Sequence, residues 1–176
     1  ADAKEITIDL NYDATVGPVA GDASRLQQVI WNLLSNAVKF TPKGGKVSVD
    51  FRRQNGFAEL VIRDTGIGIS ADFLPHVFER FRQAESTATR SHRGMGLGLA
   101  IVRHLIELHG GTVTAASDGE NCGSTFTVHL PLASIESRRV ASAAAQETNG
   151  DHGHELKGLR VLLVEDEPDA RELIAM

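Results

Sequence analysis

Residues 27–42 read QQVIWNLLSNAVKFTP, and the fold is worked out from this stretch. Leu26, Val29, Ile30, Leu33, Leu34, Ala37 and Val38 recur at helical spacing and predict one apolar helix face. Gly21-Asp22 introduces the helix, with Asp22 or Ser24 as its cap. Pro42 restricts Thr41 and ends it. On the other side Gln28, Asn32 and Asn36 are spaced by four, with Lys39 three further on, so they share one polar line. A solvated face is one reading of that line. The residue types favour another, because Asn is a poor helix former and solvated faces usually carry Glu, Lys or Arg. A carboxamide oxygen ligates Mg²⁺ without adding charge, and Mg²⁺ completes its shell with phosphate oxygens and water. Lys39 then meets phosphate as a point charge.

Working outward, Ile6, Ile8 and Leu10 alternate with polar residues as in a half-buried strand. Val47–Arg53 and Phe57–Asp64 predict an antiparallel pair around Asn55-Gly56. Leu97–His109 predicts a second long helix, closed by Gly110-Gly111. Thr112–Ala116 and Ser124–Leu130 predict a second hairpin. Residues 1–132 therefore read as one compact α/β unit. Residues 133–156 are rich in Ala, Ser and polar residues and read as a linker, with a helical start at Ile135–Ala145. Residues 157–176 (KGLRVLLVEDEPDARELIAM) begin a further strand and helix, too short to fold alone.

The composition excludes several classes. The 176 residues are 41% hydrophobic and 23% charged, which is ordinary for a globular chain and rules out a disordered or fibrous one. Unbroken apolar runs reach only four residues, as in Leu99–Val102 and Val161–Val164, so no membrane span is expected. The N-terminus lacks the pattern of a signal peptide. A net charge of −5 without a basic stripe argues against a nucleic-acid binder. The single cysteine, Cys122, forms no internal disulfide, and a reducing compartment fits.

Three further stretches carry candidate chemistry. Asp64-Thr65-Gly66-Ile67-Gly68-Ile69 follows an apolar strand. Its glycines permit positive φ and close approach of another group. The Asp accepts hydrogen bonds, and the exocyclic amine of adenine is a suitable donor; a plain turn is the alternative. Gly94-Met95-Gly96-Leu97-Gly98-Leu99 opens the second helix, where bare backbone amides and the helix N-terminus favour an anion. It is neither a Walker A loop nor a Rossmann fingerprint, since no Gly-Lys-Ser/Thr follows and no strand leads in. Phe78-Glu79-Arg80-Phe81-Arg82 precedes a small, polar and basic run, QAESTATRSHR (83–93), which is expected to be mobile. Phe78 and Phe81 are either core or anchors of a lid whose Arg90 or Arg93 reaches phosphate. Gly119–Phe126 (GENCGSTF) is largely explained as a hairpin turn.

In this order the stretches resemble the catalytic, ATP-binding domain of sensor histidine kinases, in the Bergerat-fold ATPase group. QQVIWNLLSNAVKFTP is similar to its N box, DTGIGI to G1, FERF to the F box, GMGLGL to G2 and GENCGSTF to G3. The resemblance covers residues 4–132. It implies a two-layer α/β sandwich, with a mixed sheet of about five strands on about three helices. It implies ATP and Mg²⁺ as cofactors, with Asn36 a metal ligand and Asn32 beside it. Lys39 would meet phosphate, Phe40 would lie near the nucleoside, and Asp64 would read adenine. Asn32, Asn36 and Lys39 are thus the candidate catalytic residues. Gly66, Gly68, Ile69, Phe78, Arg90, Arg93, Gly94, Met95, Gly96, Leu97, Gly98, Leu99 and Thr125 complete the candidate nucleotide site. Met95 departs from the Thr that many members carry.

Relatives that hydrolyse ATP carry a Glu one turn before the Mg²⁺ Asn. Here that position is Asn32, and a carboxamide does not act as a base near neutral pH. A kinase is therefore favoured over a hydrolase, and a docking or sensing module that binds ATP without transfer is the second class. The phosphoacceptor histidine would sit on a dimerisation domain absent from this chain. His154-Glu155-Leu156-Lys157 matches such a motif superficially, but Gly158-Leu159 follows in place of Asn/Thr-Pro. The tail RVLLVEDEPDAREL resembles the opening of a response-regulator receiver domain, with Glu165 and Asp166 as its acidic pair. The expected whole is a hybrid kinase with a receiver in cis, a response regulator as partner, and no nucleic-acid or membrane contact by this segment. A bacterial cytoplasmic location is what the resemblance implies.

Overall fold

The computed structural model describes residues 4–83 and 95–133. The linker, the receiver-like tail, Arg90, Arg93 and Gly94 lie outside the described residues. The elements in chain order are β1 (Thr7–Tyr12), α1 (Ala23–Phe40), β2 (Lys46–Gln54), β3 (Phe57–Asp64), α2 (Gly98–Leu108), β4 (Thr112–Ala116) and β5 (Ser124–Pro131). The five strands form one mixed sheet in the order β1-β2-β3-β5-β4. β1 and β2 are parallel and the other pairs antiparallel. The two α-helices lie in one layer over the sheet. The expected third helix is reduced, among the described residues, to a 3₁₀ turn at Leu74–His76. Its stretch holds Phe73, Leu74, Val77 and Phe78, too short an apolar run to sustain several turns against the core.

Local chemistry sets the boundaries. Asp22 caps α1, its carboxylate accepting from the N–H groups of Ser24 (2.8 Å) and Arg25 (3.1 Å). At the other end Thr41 turns extended, and its hydroxyl donates to the Ala37 carbonyl at 2.6 Å. The ammonium of Lys4 donates to the carbonyls of Val38 (3.1 Å), Lys39 (2.7 Å) and Thr41 (3.1 Å). A cation from before β1 thus satisfies the orphan carbonyls at the negative end of α1. Asn55 and Gly56 both have positive φ, +50° and +84°, as the tight turn between β2 and β3 requires.

The core lies between the layers. Val29, Leu33 and Ala37 of α1 and Val102, Leu105 and Ile106 of α2 pack onto Val47, Val49, Ile62, Phe126 and Val128. Truncating Leu33 to Ala in such a core costs about 2–5 kcal/mol. The helices are tied end to end by His109. Its Nε2 accepts from the Asp22 N–H at 3.1 Å while Nδ1 contacts the Leu105 carbonyl at 2.7 Å. The C-terminal end of α2 is therefore held at the start of α1, and the N-terminal end of α2 meets α1 near its middle.

Candidate functional site

That arrangement brings the polar line of α1 to the start of α2. Gln28, Asn32, Asn36 and Lys39 are all half-buried, and Gln27, Trp31 and Ser35 take the solvated side. The line is therefore not the solvated face. A Cβ placed on Gly98 would lie 3.9 Å from Oδ1 of Asn32, an ordinary van der Waals distance, so the first residue of α2 lies directly beside the polar line of α1. α2 begins with no side-chain cap and no acidic residue in its first turn, so its first amides are left unanswered by the side chains of that turn. Among the described residues, the carboxamides of Asn32 and Asn36 engage no hydrogen-bond partner. Among the described residues Lys39 pairs with no carboxylate; its Nζ lies 4.9 Å from the Phe40 ring centroid.

Asp64 sits at the end of β3 and is buried. Its Oδ1 accepts from the N–H groups of Gly66 (2.8 Å) and Ser124 (3.3 Å), and Oδ2 accepts from the Ser124 hydroxyl at 2.5 Å. All three donors are neutral. A carboxylate offers about four acceptor positions, so about one remains for a further donor.

Three turns are stacked to hold this carboxylate. The Ile67 N–H donates to the Phe40 carbonyl at 3.2 Å, fastening the loop after β3 to the end of α1. The Asn121 N–H donates to Ile67 (2.7 Å) and the Gly123 N–H to Gly66 (3.1 Å), which fastens the β4–β5 turn to the same loop. Gly68 and Gly123 have φ of +70° and +72°, and a Cβ at either would overlap the carbonyl of Gly119 or Asp64 respectively. Ser117 braces the assembly, its hydroxyl accepting from the Ile69 N–H at 3.0 Å and donating to the Gly123 carbonyl at 2.7 Å. At the far side the Phe81 N–H donates to the Gly96 carbonyl at 3.0 Å, joining the two ends of the run between them.

The structure thus sets Gly98 beside Asn32 and fastens the loop of Asp64, Gly66 and Gly68 to the end of α1 at Phe40, the helix that also carries Asn36 and Lys39. Phe78 turns its ring edge onto Phe126, with centroids 6.3 Å apart, and Ile69 and Leu99 also pack on the core. Met95 is 78% exposed. Thr125 is a correction. It pairs with Arg63, one step from the Asp64–Ser124 pair, so strand alternation puts it on the opposite face of the sheet. Ser124 is the residue that reaches Asp64. Ser117 and Lys4 were also missed; a Ser-Asp-Gly turn was the only local signal for the first, and none exists for the second.

Residues 21–134 match the family described as histidine kinase-, DNA gyrase B- and HSP90-like ATPases. The chain belongs to this family. The ATPase domain is 44% identical over 138 residues to hybrid signal transduction histidine kinase D of Dictyostelium discoideum, covering 65% of this chain and 9% of that protein. It is 40% identical over 169 residues to the autoinducer 2 sensor kinase/phosphatase LuxQ of Vibrio cholerae, covering 92% of this chain and 19% of the relative. The chain therefore spans a small part of the curated relatives it matches. Among solved structures it superposes on the mycobacterial sensor histidine kinase MprB with a TM-score of 0.63 at 37% identity, over 72% of this chain and 84% of that one. Full-length ShkA in complex with AMPPNP gives a TM-score of 0.65 at 32% identity, over 77% of this chain and 27% of that one. The sheet and helices are thus those of histidine kinase catalytic domains, the α/β sandwich of the Bergerat fold. No helix among the described residues is long and apolar enough to cross a membrane.

Proposed function

We propose that this domain binds Mg·ATP and donates the γ-phosphoryl group to a histidine on a dimerisation domain outside this chain. One observation carries the reading. A buried carboxylate, Asp64, is held among the described residues only by neutral donors, in a loop fastened to the end of the helix whose two carboxamides and lysine have no hydrogen-bond or ion-pair partner among those residues. Asp64 accepts the exocyclic amine of adenine; guanine presents a carbonyl there and is repelled. Lys39 and the first amides of α2 bind phosphate oxygens. Asn36, with Asn32 beside it, presents neutral oxygens to the cation, and half-buried amides without partners suit that task. Mg²⁺ bound there supplies charge neutralisation on the phosphates. The chain's own residues position the nucleotide and leave the attacking imidazole to the acceptor domain, so no base is needed at Asn32. Hydrolysis is disfavoured for the same reason.

The wider assembly belongs to the same proposal. Glu165 and Asp166 open a receiver domain whose acceptor Asp and Lys would follow Met176, and a response regulator takes the phosphate onward. Lid arginines Arg90 and Arg93 are the candidates for phosphate contact. Calorimetric titration with AMPPNP, with and without Mg²⁺ and with GTP as control, tests the site. Saturable, adenine-selective, Mg²⁺-enhanced binding is expected; equal affinity for GTP overturns the assignment of Asp64. Labelled phosphate appearing on a histidine domain added in trans separates a kinase from a module that binds ATP without transfer.

A further inference from the structure

The two edges of the sheet are finished differently. β4 carries small residues, Thr112, Thr114 and Ala116 outward and Val113 and Ala115 half-buried under α2. β1 carries Ile8, Leu10 and Tyr12, which are 47%, 69% and 68% exposed. All three side chains lie on the helix face of the sheet, opposite Val47, Val49 and Phe51. The helices pack on the middle of the sheet and on β4, and Ile8, Leu10 and Tyr12 of β1 stay exposed beside them. Among the described residues, no strand pairs with the outer backbone edge of the same residues. The N–H of Thr7 donates to Gly45 at 3.0 Å and that of Asp13 to Phe51 at 2.9 Å. With a period of two, the odd-numbered residues face β2, and the N–H and C=O groups of Ile8, Leu10 and Tyr12 point off the edge. Such an edge, long and apolar on one side, is a template for another strand.

We propose that β1 is the docking site for β1 of a second copy of this chain, paired antiparallel about a two-fold axis through Leu10. Self-complementarity of the strand carries the choice of occupant. With Leu10 opposite Leu10, Ile8 falls opposite the partner's Tyr12, an aromatic on a β-branched residue, the favourable kind of cross-strand pair. On the other face Asp9 falls opposite the partner's Asn11, so no two like charges meet. Asp9 and Asn11 stay anchored to their own sheet by Lys46 (2.5 Å) and Asp50 (2.7 Å). In this register the residues whose backbone groups point outward are the ones that exchange ladder bonds, about six in all. Parity forbids the registers shifted by one, which would set apolar side chains against the charged face. The two-fold closes the contact, so it yields a dimer with one continuous sheet and no fibre. The interface is small, and a Kd on the order of 100 μM is expected.

Sedimentation velocity of the 176-residue chain, from about 5 to about 500 μM, tests it. A sedimentation coefficient that climbs toward the dimer value is expected. Leu10→Pro removes only an outward N–H, so the β1–β2 ladder stays intact and the dimer is lost at least tenfold. The register is read by cross-linking in a Cys122→Ser background. Leu10→Cys oxidises to a dimer by itself; Ile8→Cys does so only when mixed with Tyr12→Cys, because facing Cα atoms about 5.5 Å apart suit a disulfide. A chain that stays monomeric throughout overturns the proposal. If that monomer also protects the Ile8, Leu10 and Tyr12 amides from hydrogen exchange, another segment of the same chain occupies the edge. A dimer indifferent to Leu10→Pro overturns it as well.

Discussion

Glu59 and Asp64 lie on the same strand, β3, on opposite faces of the sheet, and both carboxylates are buried. They are held in contrasting ways. Glu59 faces away from the helices and is answered by cations: Nε of Arg52 at 2.6 Å and Nε2 of His129 at 2.9 Å. Burial raises its pKa, and the hydrogen bonds and charges of Arg52 and His129 outweigh that and hold it below the ordinary glutamate value. Asp64 faces the helices and is answered by two amides and a hydroxyl. A carboxylate closed by cations is finished as a structural unit. One held by neutral donors keeps an acceptor position for a ligand, and the surrounding turns are organised to keep it there. Burial alone therefore says little about which acid binds; the chemistry of its partners does.

The comparison breaks most visibly at Asp64. Asp64→Asn is expected to weaken AMPPNP binding by about a hundredfold, or about 3 kcal/mol, since it turns an acceptor into a donor in a buried site. Unchanged affinity by calorimetry would place the adenine elsewhere. Next, Asn36→Ala is expected to remove the Mg²⁺-dependent increment of binding, about tenfold, with little change in metal-free affinity. A titration at several Mg²⁺ concentrations reads this, and an intact increment excludes the ligand role. A smaller effect sharpens the face argument: Ser124→Ala should lose about fivefold in affinity, while Thr125→Ala should lose almost nothing. The reverse order would mean the strand's register is wrong.

Glu59→Gln should leave nucleotide affinity unchanged and lower Tm by about 3 °C, for about 1 kcal/mol. The figure is modest because Arg52 is more than half exposed and His129 about a third exposed, so water screens both partners. The sign of its pH dependence follows from the lowered pKa. The stabilisation is present above about pH 4.5, where the unfolded carboxyl is ionised too, and fades as pH falls through the folded value. The stability gap between the parent chain and Glu59→Gln should therefore narrow as pH falls below the ordinary glutamate range in thermal melts. A gap that widens on acidification would mean that Glu59 is not ionised in the fold.

Much of the fold was legible in the chain. The period of Val29, Leu33 and Ala37 placed the inner face of α1, and Asn55-Gly56 and Pro42 placed a hairpin and a helix end. These are local signals, set by backbone preferences and side-chain period. The polar line Gln28–Lys39 was legible as residues; that it is half-buried against α2 was not. The weaker points were those decided by one step of register or by distant chain. Thr125 and Ser124 are equally polar neighbours in a row of strand residues, and only pairing with β3 shows which of them shares a face with Asp64. Phe78 carries no mark that its ring turns to Phe126.

By itself the sequence determined the elements, the caps, the glycine positions and the set of residue types at the site, because each rests on forces acting within a few residues. Tertiary structure alone decided that Lys4 closes α1, that His109 joins the two helices, that Ser117 and Gly123 brace the loop of Asp64, and that Glu59 and Asp64 part company. Those outcomes depend on hydrogen bonds and burial between segments far apart in the chain, and no local preference encodes which distant donor arrives.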